Sequence, residues 1–514
     1  VTVAITLFPD MYVDSVVQLR CIRAMRELDG VAWASAGMAT PANVETLLAE
    51  GVAASDVASA GANDFVLVVR ASSPQAADEA LGVGRAAFSA AVPAPAEGAP
   101  AARSAPRSLS DARLLAPTAN AAVVSVPGDY AALAAYQALS NGLHVLLFSD
   151  NVPVAKEIAL KRYAAARGLL LMGPGAGTAV LGGAGLGFAN AVTRGPVGVV
   201  AAAGTGAQEA MALLDRWGVG VSQVIGLGGH DLSAEVGGVM ARSAIDALQR
   251  DRTTEVILVI SKPPSPDVAA AVLAGSGKTP IVAALIGLNP ATPAPPGVVL
   301  ADTLESGAVA TMRTLGRVAP DTTVTAGPSV LDVRRRLAPE RRWVRGLFSG
   351  GTLCYESLVV LGRVLEAVYS NTPLNPVWGL PAPRQSHQCL DLGEEEYTLG
   401  RPHPMIDPAA RLELLAEHAA DEEVAAIILD VVLGYGANPN PAATLAPACA
   451  AVMADGGPQV VAYVLGTEAD PQGYHAQRAA LVDAGCIVTE TACRASLVAA
   501  AIAVGDPTVA ARPV

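Results

Sequence analysis

The run VGVVAAAGTGAQEAMALL, Val197–Leu214, returns as VRGLFSGGTLCYESLVVL, Val344–Leu361. Each is an apolar stretch, a Gly-Thr turn, a Glu one helical turn later, and then a helical pattern. The surroundings repeat too. The first copy continues through VIGLGGHDLSAEVGG, EVILVISKPP and PIVAALIGLNP; the second through CLDLGEEEYTLGRPHPMID, AAIILDVVLGYG and QVVAYVLGTEADPQG. Shared order and spacing indicate an internal duplication. Strands that feed glycine turns and then helices are the pattern of α/β layers on a parallel sheet, which excludes an all-helical bundle or a β-sandwich.

A chain of 514 residues is too long for one ordinary domain. The pattern along it divides into a small N-terminal α/β domain (1–92), a Pro/Ala-rich linker (93–112) and a Rossmann-type domain (113–178). The two duplicated domains follow at 179–325 and 343–505, joined by a Pro- and charge-rich linker at 326–342. The Rossmann-type segment is read from AAVVSVPGDYAALAAYQALSNGLHVLLFSD, a βαβ unit with parallel strands. GGAGLG (Gly182–Gly187) lacks the strand-turn-helix context of a dinucleotide fingerprint, so no nicotinamide site is expected there.

Hydrophobic residues are 52% and aromatics 4%, with 50 Gly, which suits Ala/Val/Leu-packed α/β layers. A net charge of −13 argues against nucleic-acid binding, because phosphates need a basic face. The longest uncharged run, Gly168–Thr193, is broken by Pro174 and many glycines, so no membrane span is expected. The start lacks the basic segment of a secretory signal, and the six cysteines include no C-x-x-C pair. Reduced thiols, a cytoplasmic location and no metal site follow as expectations.

The Gly-Thr turns carry the chemistry. Free backbone N–H groups and the helix dipole at such a turn attract phosphate or carboxylate, at roughly 0.3–2 kcal/mol per helix end. The candidates are Gly204, Thr205 and Gly206 in the first copy, and Gly350, Gly351 and Thr352 in the second. Two halves related by a pseudo-twofold axis could aim both helix starts at one anion. Taken singly, either turn is also what a tight strand-to-helix connection requires. Neither continues as G-K-[ST], so neither is a Walker loop. Glu209 and Glu356 fall in the first helical turns, where capping is the simple role. The second loops add Gly228, Gly229 and His230, and, in the other copy, Arg401 and His403. His387, Cys389 and Asp391 alternate, so one face of a strand could carry all three. Lys262 ends a strand, where ligands bind in open parallel sheets.

SVPGDYAALAAYQAL, HVLLFSDNVP and GLLLMGP resemble the CoA-binding domain of succinyl-CoA synthetase α subunits. GVVAAAGTGAQEA with VIGLGGHD resembles the first ligase domain of that subunit. LDLGEEEYTLG, IILDVVLGYG and VVAYVLGTEADPQG resemble the ligase domain that ends the β subunit. As a whole the chain resembles the FdrA family, which joins these pieces behind a small N-terminal domain. The resemblance implies two flavodoxin-like ligase domains. It also implies CoA as the one cofactor to consider, at Val126, Pro127, Ser149, Asp150 and Asn151.

The synthetase nucleotide-grasping domain is missing, and ALIGLNPATPAPPG (Ala284–Gly297), which matches the phosphohistidine loop, has no histidine. The resemblance therefore implies direct transfer from an acyl-phosphate-like donor. Its first form is a carbamoyltransferase subunit acting on carbamoyl phosphate and an oxamate-like acid in purine (allantoin) catabolism. In that reading His230, Lys262, Arg401 and His403 are catalytic, and Gly228 and Gly229 join the phosphate-binding turns. Its alternative is an acyl-CoA synthetase subunit that borrows nucleotide binding from a partner. Both expect companion subunits in a hetero-oligomer, and both are compatible with a homodimer. The chain departs from the family at GPGAGT (Gly173–Thr178) and AAAGTG (Ala201–Gly206), which lack a carboxylate, a thiol and a hydroxyl that the family tends to carry there.

Overall fold

The structure, a computed structural model, describes residues 2–513 except 10, 12, 14, 92–105, 107, 275–276, 290–291 and 400. It divides into two compact units: Val1–Ala105 with Leu399–Pro402, and Pro106–Thr398 with His403–Val514. Most of the Pro/Ala-rich linker expected at 93–112 lies outside the described residues, and its last four residues already belong to a helix that starts at Leu109.

The first unit holds β1 (Thr2–Phe8), α1 (Ser15–Arg26), β2 (Val31–Met38), α2 (Pro41–Ala49), α3 (Ala54–Val57), β3 (Phe65–Ala71) and α4 (Pro74–Ala91). Its sheet has the order β1-β3-β2 and is antiparallel. Phe8, Phe65 and Phe88 pack ring to ring at centroid distances of 5.2–5.6 Å between α4 and the sheet.

The second unit opens with α5 (Leu109–Leu115), β4 (Ala121–Val124), α6 (Gly128–Ser140), β5 (His144–Leu147), α7 (Val154–Ala165) and β6 (Leu171–Met172). The strands pair in parallel in the order β4-β5-β6. Sequential order means the sheet never reverses direction, so this segment is one wing of a Rossmann sheet without the central crevice.

The first duplicated domain comprises β7 (Thr178–Leu181), β8 (Ala184–Gly187), β9 (Arg194–Ala202), α8 (Gly204–Arg216), β10 (Val221–Gly226), α9 (Val239–Arg250), β11 (Val256–Ser261), α10 (Pro266–Leu273), β12 (Ile281–Leu285), β13 (Val298–Ala301) and α11 (Leu304–Thr314). GGAGLG lies on the β7–β8 hairpin, away from any helix start. The second comprises β14 (Thr325–Ala326), α12 (Val330–Arg336), β15 (Trp343–Phe348), α13 (Gly351–Gly362), β16 (Val368–Tyr369), β17 (His387–Asp391), α14 (Glu395–Thr398), α15 (Ala409–Ala419), β18 (Val424–Val432), α16 (Pro441–Met453), β19 (Gln459–Leu465), α17 (Tyr474–Asp483), β20 (Ile487–Thr489) and α18 (Ala492–Val504).

The two sheets have the same plan. One reads β13-β12-β11-β9-β10 and the other β20-β19-β18-β15-β17, all parallel. This is the flavodoxin-like order, with its reversal at β9 in one copy and β15 in the other. β18 is buried along all nine residues, as a central parallel strand must be when helices cover both faces. One apolar core runs through both halves and includes Val199, Ile260 and Val282 of the first with Phe348, Ile428 and Val498 of the second. The halves are thus one packed body, not domains on a string.

The expected linker at 326–342 is corrected. β14 pairs with β20, α12 buries Val333, and buried Arg341 donates to the Val424 carbonyl at 2.8 Å. Arg336 and Arg341 donate to backbone carbonyls of the second half, whereas Asp332, Arg335, Glu340 and Arg342 are exposed, as the charge pattern implied.

Candidate functional site

Both Gly-Thr turns sit where the strand order of their sheet reverses, the place where open α/β sheets bind ligands. The pseudo-twofold arrangement brings α8 and α13 start to start. The Thr352 backbone N–H donates to Thr205 Oγ1 at 3.2 Å, and both threonines are buried. A β-carbon on Gly206 would lie 3.0 Å from Thr352 Cγ2, so only glycine permits this approach without displacement.

The two starts differ. Asp430, at the end of β18, accepts from Ser349 N at 2.8 Å and Gly350 N at 2.7 Å. Arg411 completes the carboxylate at 2.9 Å. The N–H of Gly350, expected to face a ligand, is therefore held by a side chain of the protein. In the first copy the register places Ile260 where Asp430 stands, so no carboxylate takes the backbone N–H groups ahead of α8. Gly204 is exposed, and a β-carbon there would meet nothing within 4 Å. The open helix start is that of α8.

Lys262, just beyond β11, reaches across the pseudo-twofold axis towards the second copy, with its Nζ 5.8 Å from the centre of the Tyr355 ring. It also faces Asp391, at the end of β17. Burial pushes the Asp391 carboxyl up to about 6, against the pull of Lys262 and of the Gly393 N–H, with Glu394 and Asp430 adding to the rise. A β-carbon on Gly351 would fall 2.3 Å from Asp391 Oδ2, so this carboxylate lies directly on the start of α13. His403 Nε2 is on the same side, 2.8 Å from where a Gly393 β-carbon would be. His403 Nδ1 accepts from Met405 N at 3.2 Å, which places the proton of the neutral ring on Nε2. Burial lowers its pKa, Asp430 opposing and Arg411 assisting. The arrangement offers an oxyanion free N–H groups, an ammonium and an imidazole N–H, and it offers a proton the Asp391 carboxyl, whose pKa burial raises.

The other candidates are placed elsewhere. His230 is exposed and pairs with Glu157 at 3.3 Å. Its neighbour Asp231 and Glu157 enclose Lys161, which is wholly buried, at 2.8 and 2.7 Å. That ion cluster ties the Rossmann-type segment to the first ligase-like domain. Gly228 backs onto the Gly173–Pro174 backbone, and Gly229 has open space around it. Arg401 is exposed on a bend that groups with the N-terminal unit. His387 lies at the opposite end of β17 from Asp391 and accepts from Val344 N at 3.1 Å, so these two do not share a site.

Around β4 and β5, Val126 N donates to Ser149 Oγ at 2.9 Å, and Asn151 is left-handed at φ 57°. Gly128 touches the Asp150 and Asn151 carbonyls, so Val126, Pro127, Ser149, Asp150 and Asn151 form one loop cluster. All six cysteines are buried and unpaired, and burial pushes the Cys389 thiol up to about 12. Among the described residues no helix is long and apolar enough to cross a membrane, and no group of three His, Cys, Asp or Glu side chains is placed to hold a metal.

Two family descriptions match the chain: CoA-ligase over residues 347–503, and the AllF heavy metal-associated domain over residues 1–104. YahF of Escherichia coli (strain K12), described as an uncharacterized protein, is 38% identical over 97% of this chain and 98% of its own length. The chain belongs to the YahF family. Together these matches make it an FdrA-like, succinyl-CoA-synthetase-like protein. The Aquifex aeolicus (strain VF5) succinate–CoA ligase [ADP-forming] subunit alpha is 33% identical over 28% of this chain and 48% of that subunit. Among solved structures, the dinucleotide-forming acetyl-coenzyme A synthetase 1 of Ca. Korarchaeum cryptofilum (apo form) has a TM-score of 0.30 at 15% identity, covering 76% of this chain and 84% of that one. In this YahF-family chain the segment matching the heavy metal-associated domain has Cys21 as its one cysteine, buried in the core. Its described residues do not fit a metal centre.

Sequence reasoning missed Asp430, Arg411 and the Lys161 cluster. Asp430 had a signal: a carboxylate inside the otherwise apolar run AAIILDVVL is not left unpaired in a buried strand.

Proposed function

We propose that this chain is the ligase-domain subunit of an acyl-CoA-synthetase-like enzyme and takes nucleotide binding from a companion subunit. The observation that carries the reading is the junction of α8 and α13 at Thr205 and Thr352, with Lys262 and Asp391 on either side. An acyl phosphate fits it. The α8 N–H groups and Lys262 hold the phosphoryl oxygens, and His403 Nε2–H donates to the same anion. CoA supplies the thiol from the loops after β4 and β5. Asp391 takes the thiol proton as the C–S bond forms and the C–O bond to phosphate breaks. Positioning and stabilisation of the oxyanion supply most of the catalysis. The test is CoA-dependent phosphate release from short acyl phosphates by the chain with its companion subunits. Lys262→Met is expected to lower the rate by about a hundredfold or more. Absence of CoA-dependent release across the series would overturn the proposal.

A second reading is carbamoyl transfer from carbamoyl phosphate to an oxamate-like acid, and the observation behind it is that Ala284–Gly297 contains no histidine to carry phosphate. Phosphate release that depends on oxamate and not on CoA would select this reading over the first.

A further inference from the structure

The end of the second ligase-like sheet opposite the helix starts carries an unmet need. Arg345, on β15, is 3% exposed. Its guanidinium donates to the carbonyls of Val344, Ser386 and Arg384, and its nearest carboxylate, Asp421, is 3.5 Å away. Its Nε has no hydrogen-bond partner, and neither has the buried Nε2 of His418 beside it. Both residues line a cavity of about 420 Å³ with Arg384, Gln388, Glu417 and Asp421. A buried guanidinium held mostly by neutral carbonyls is a charge without full compensation. Burial lowers the Arg345 pKa in spite of Asp421, and burial, with the charge of Arg345 assisting, lowers that of His418 to about 4.

The carboxylates of the cavity meet this need only in part. Asp421 Oδ2 pairs with Arg345 at 3.5 Å while its Oδ1 accepts from Glu423 N at 3.0 Å, Glu417 is exposed at the rim, and the Arg345 Nε stays without a partner. What the cavity lacks is an acceptor. We infer that it is a binding site for a small oxyanion, a carboxylate or a phosphate, held by Arg345 and the exposed Arg384 with Gln388 and His418 alongside. The site is separate from the helix starts: Arg345 stands near the beginning of β15, and Ser349 just past its end.

Crystals of the full chain soaked in selenate test this. The expected result is anomalous density within hydrogen-bond distance of Arg345 and Arg384. In solution, Arg384→Ala on a Lys262→Met background should weaken binding of acetate or phosphate by about tenfold or more. Arg384 is exposed, so that variant keeps the fold. Comparing acetate with phosphate tells which oxyanion the cavity prefers. Selenate found only at the helix starts, or affinities unchanged by Arg384→Ala, would overturn the inference.

Discussion

Glu209 and Glu356 exchange places across the pseudo-twofold axis. Glu356, on α13 of the second copy, accepts from Leu304 N at 2.6 Å and so caps α11 of the first. Glu209, on α8 of the first copy, accepts from the Ala492 backbone and the Tyr463 hydroxyl, and so caps α18 of the second. Each helix that starts at a Gly-Thr turn thus closes the last helix of the other half. The repeated Glu of the sequence is a device that holds the two halves together.

This exchange sets a pH dependence. Burial raises the carboxyl of Glu209 to about 7 and that of Glu356 to about 8. Folded carboxyls with raised pKa contribute stability below the unfolded value of about 4.3 and lose it as pH rises through the folded values. Thermal unfolding of the wild type should therefore fall between about pH 5 and pH 8 relative to Glu356→Gln or Glu209→Gln, whose profiles should be flatter. Parallel profiles for all three proteins would contradict the assignment.

Arg494 of α18 joins Glu305 of α11 at 2.6 Å, with both side chains buried. Arg494→Met leaves the Glu305 carboxylate without its cation and should cost about 3–5 kcal/mol in denaturant unfolding. A change below 1 kcal/mol would mean that Thr322 and Thr491, which also donate to Glu305, suffice to hold it.

Lys161 and His230 belong to one cluster but should behave oppositely. Lys161→Met uncouples buried Asp231 and Glu157 and should cost about 3–5 kcal/mol. His230→Ala removes an exposed ring and should change stability by about 0.5 kcal/mol or less. It should also leave turnover intact; a large loss of activity with stability unchanged would return His230 to the catalytic set.

The glycines at the first turn separate packing from binding. Gly206→Val drives a side chain against Thr352 and Ile260 and should destabilise by about 1–3 kcal/mol while opening the junction. Gly204→Ala has open space, so its melting temperature should stay near wild type while oxyanion binding weakens. Equal binding by Gly204→Ala and wild type would place the ligand elsewhere.

Much of the fold was legible because periodicity and glycine turns are local signals. The strand-turn-helix units at Val197–Leu214 and Val344–Leu361 needed no partner to be seen, and neither did the duplication. What the sequence could not give was which side chains meet across the axis. Lys262 and Asp391 are far apart in the chain and adjacent only because the halves face each other. His403 was legible as a candidate, but its tautomer depends on Met405 N, a contact made by the loop's own turn. Gly350 reads from the sequence as part of an open anion turn, but Asp430 fills its side of the axis, where the first copy has Ile260. Duplication suggested two equal anion turns; packing left one open.

The central claim is that the α8 start and Lys262 form one oxyanion site. Its most direct test is the affinity of the full chain for inorganic phosphate, with and without Lys262→Met, both on an Arg384→Ala background that silences the second cavity. The account predicts a loss of about tenfold or more on removing Lys262. Equal affinity in the two proteins would contradict it.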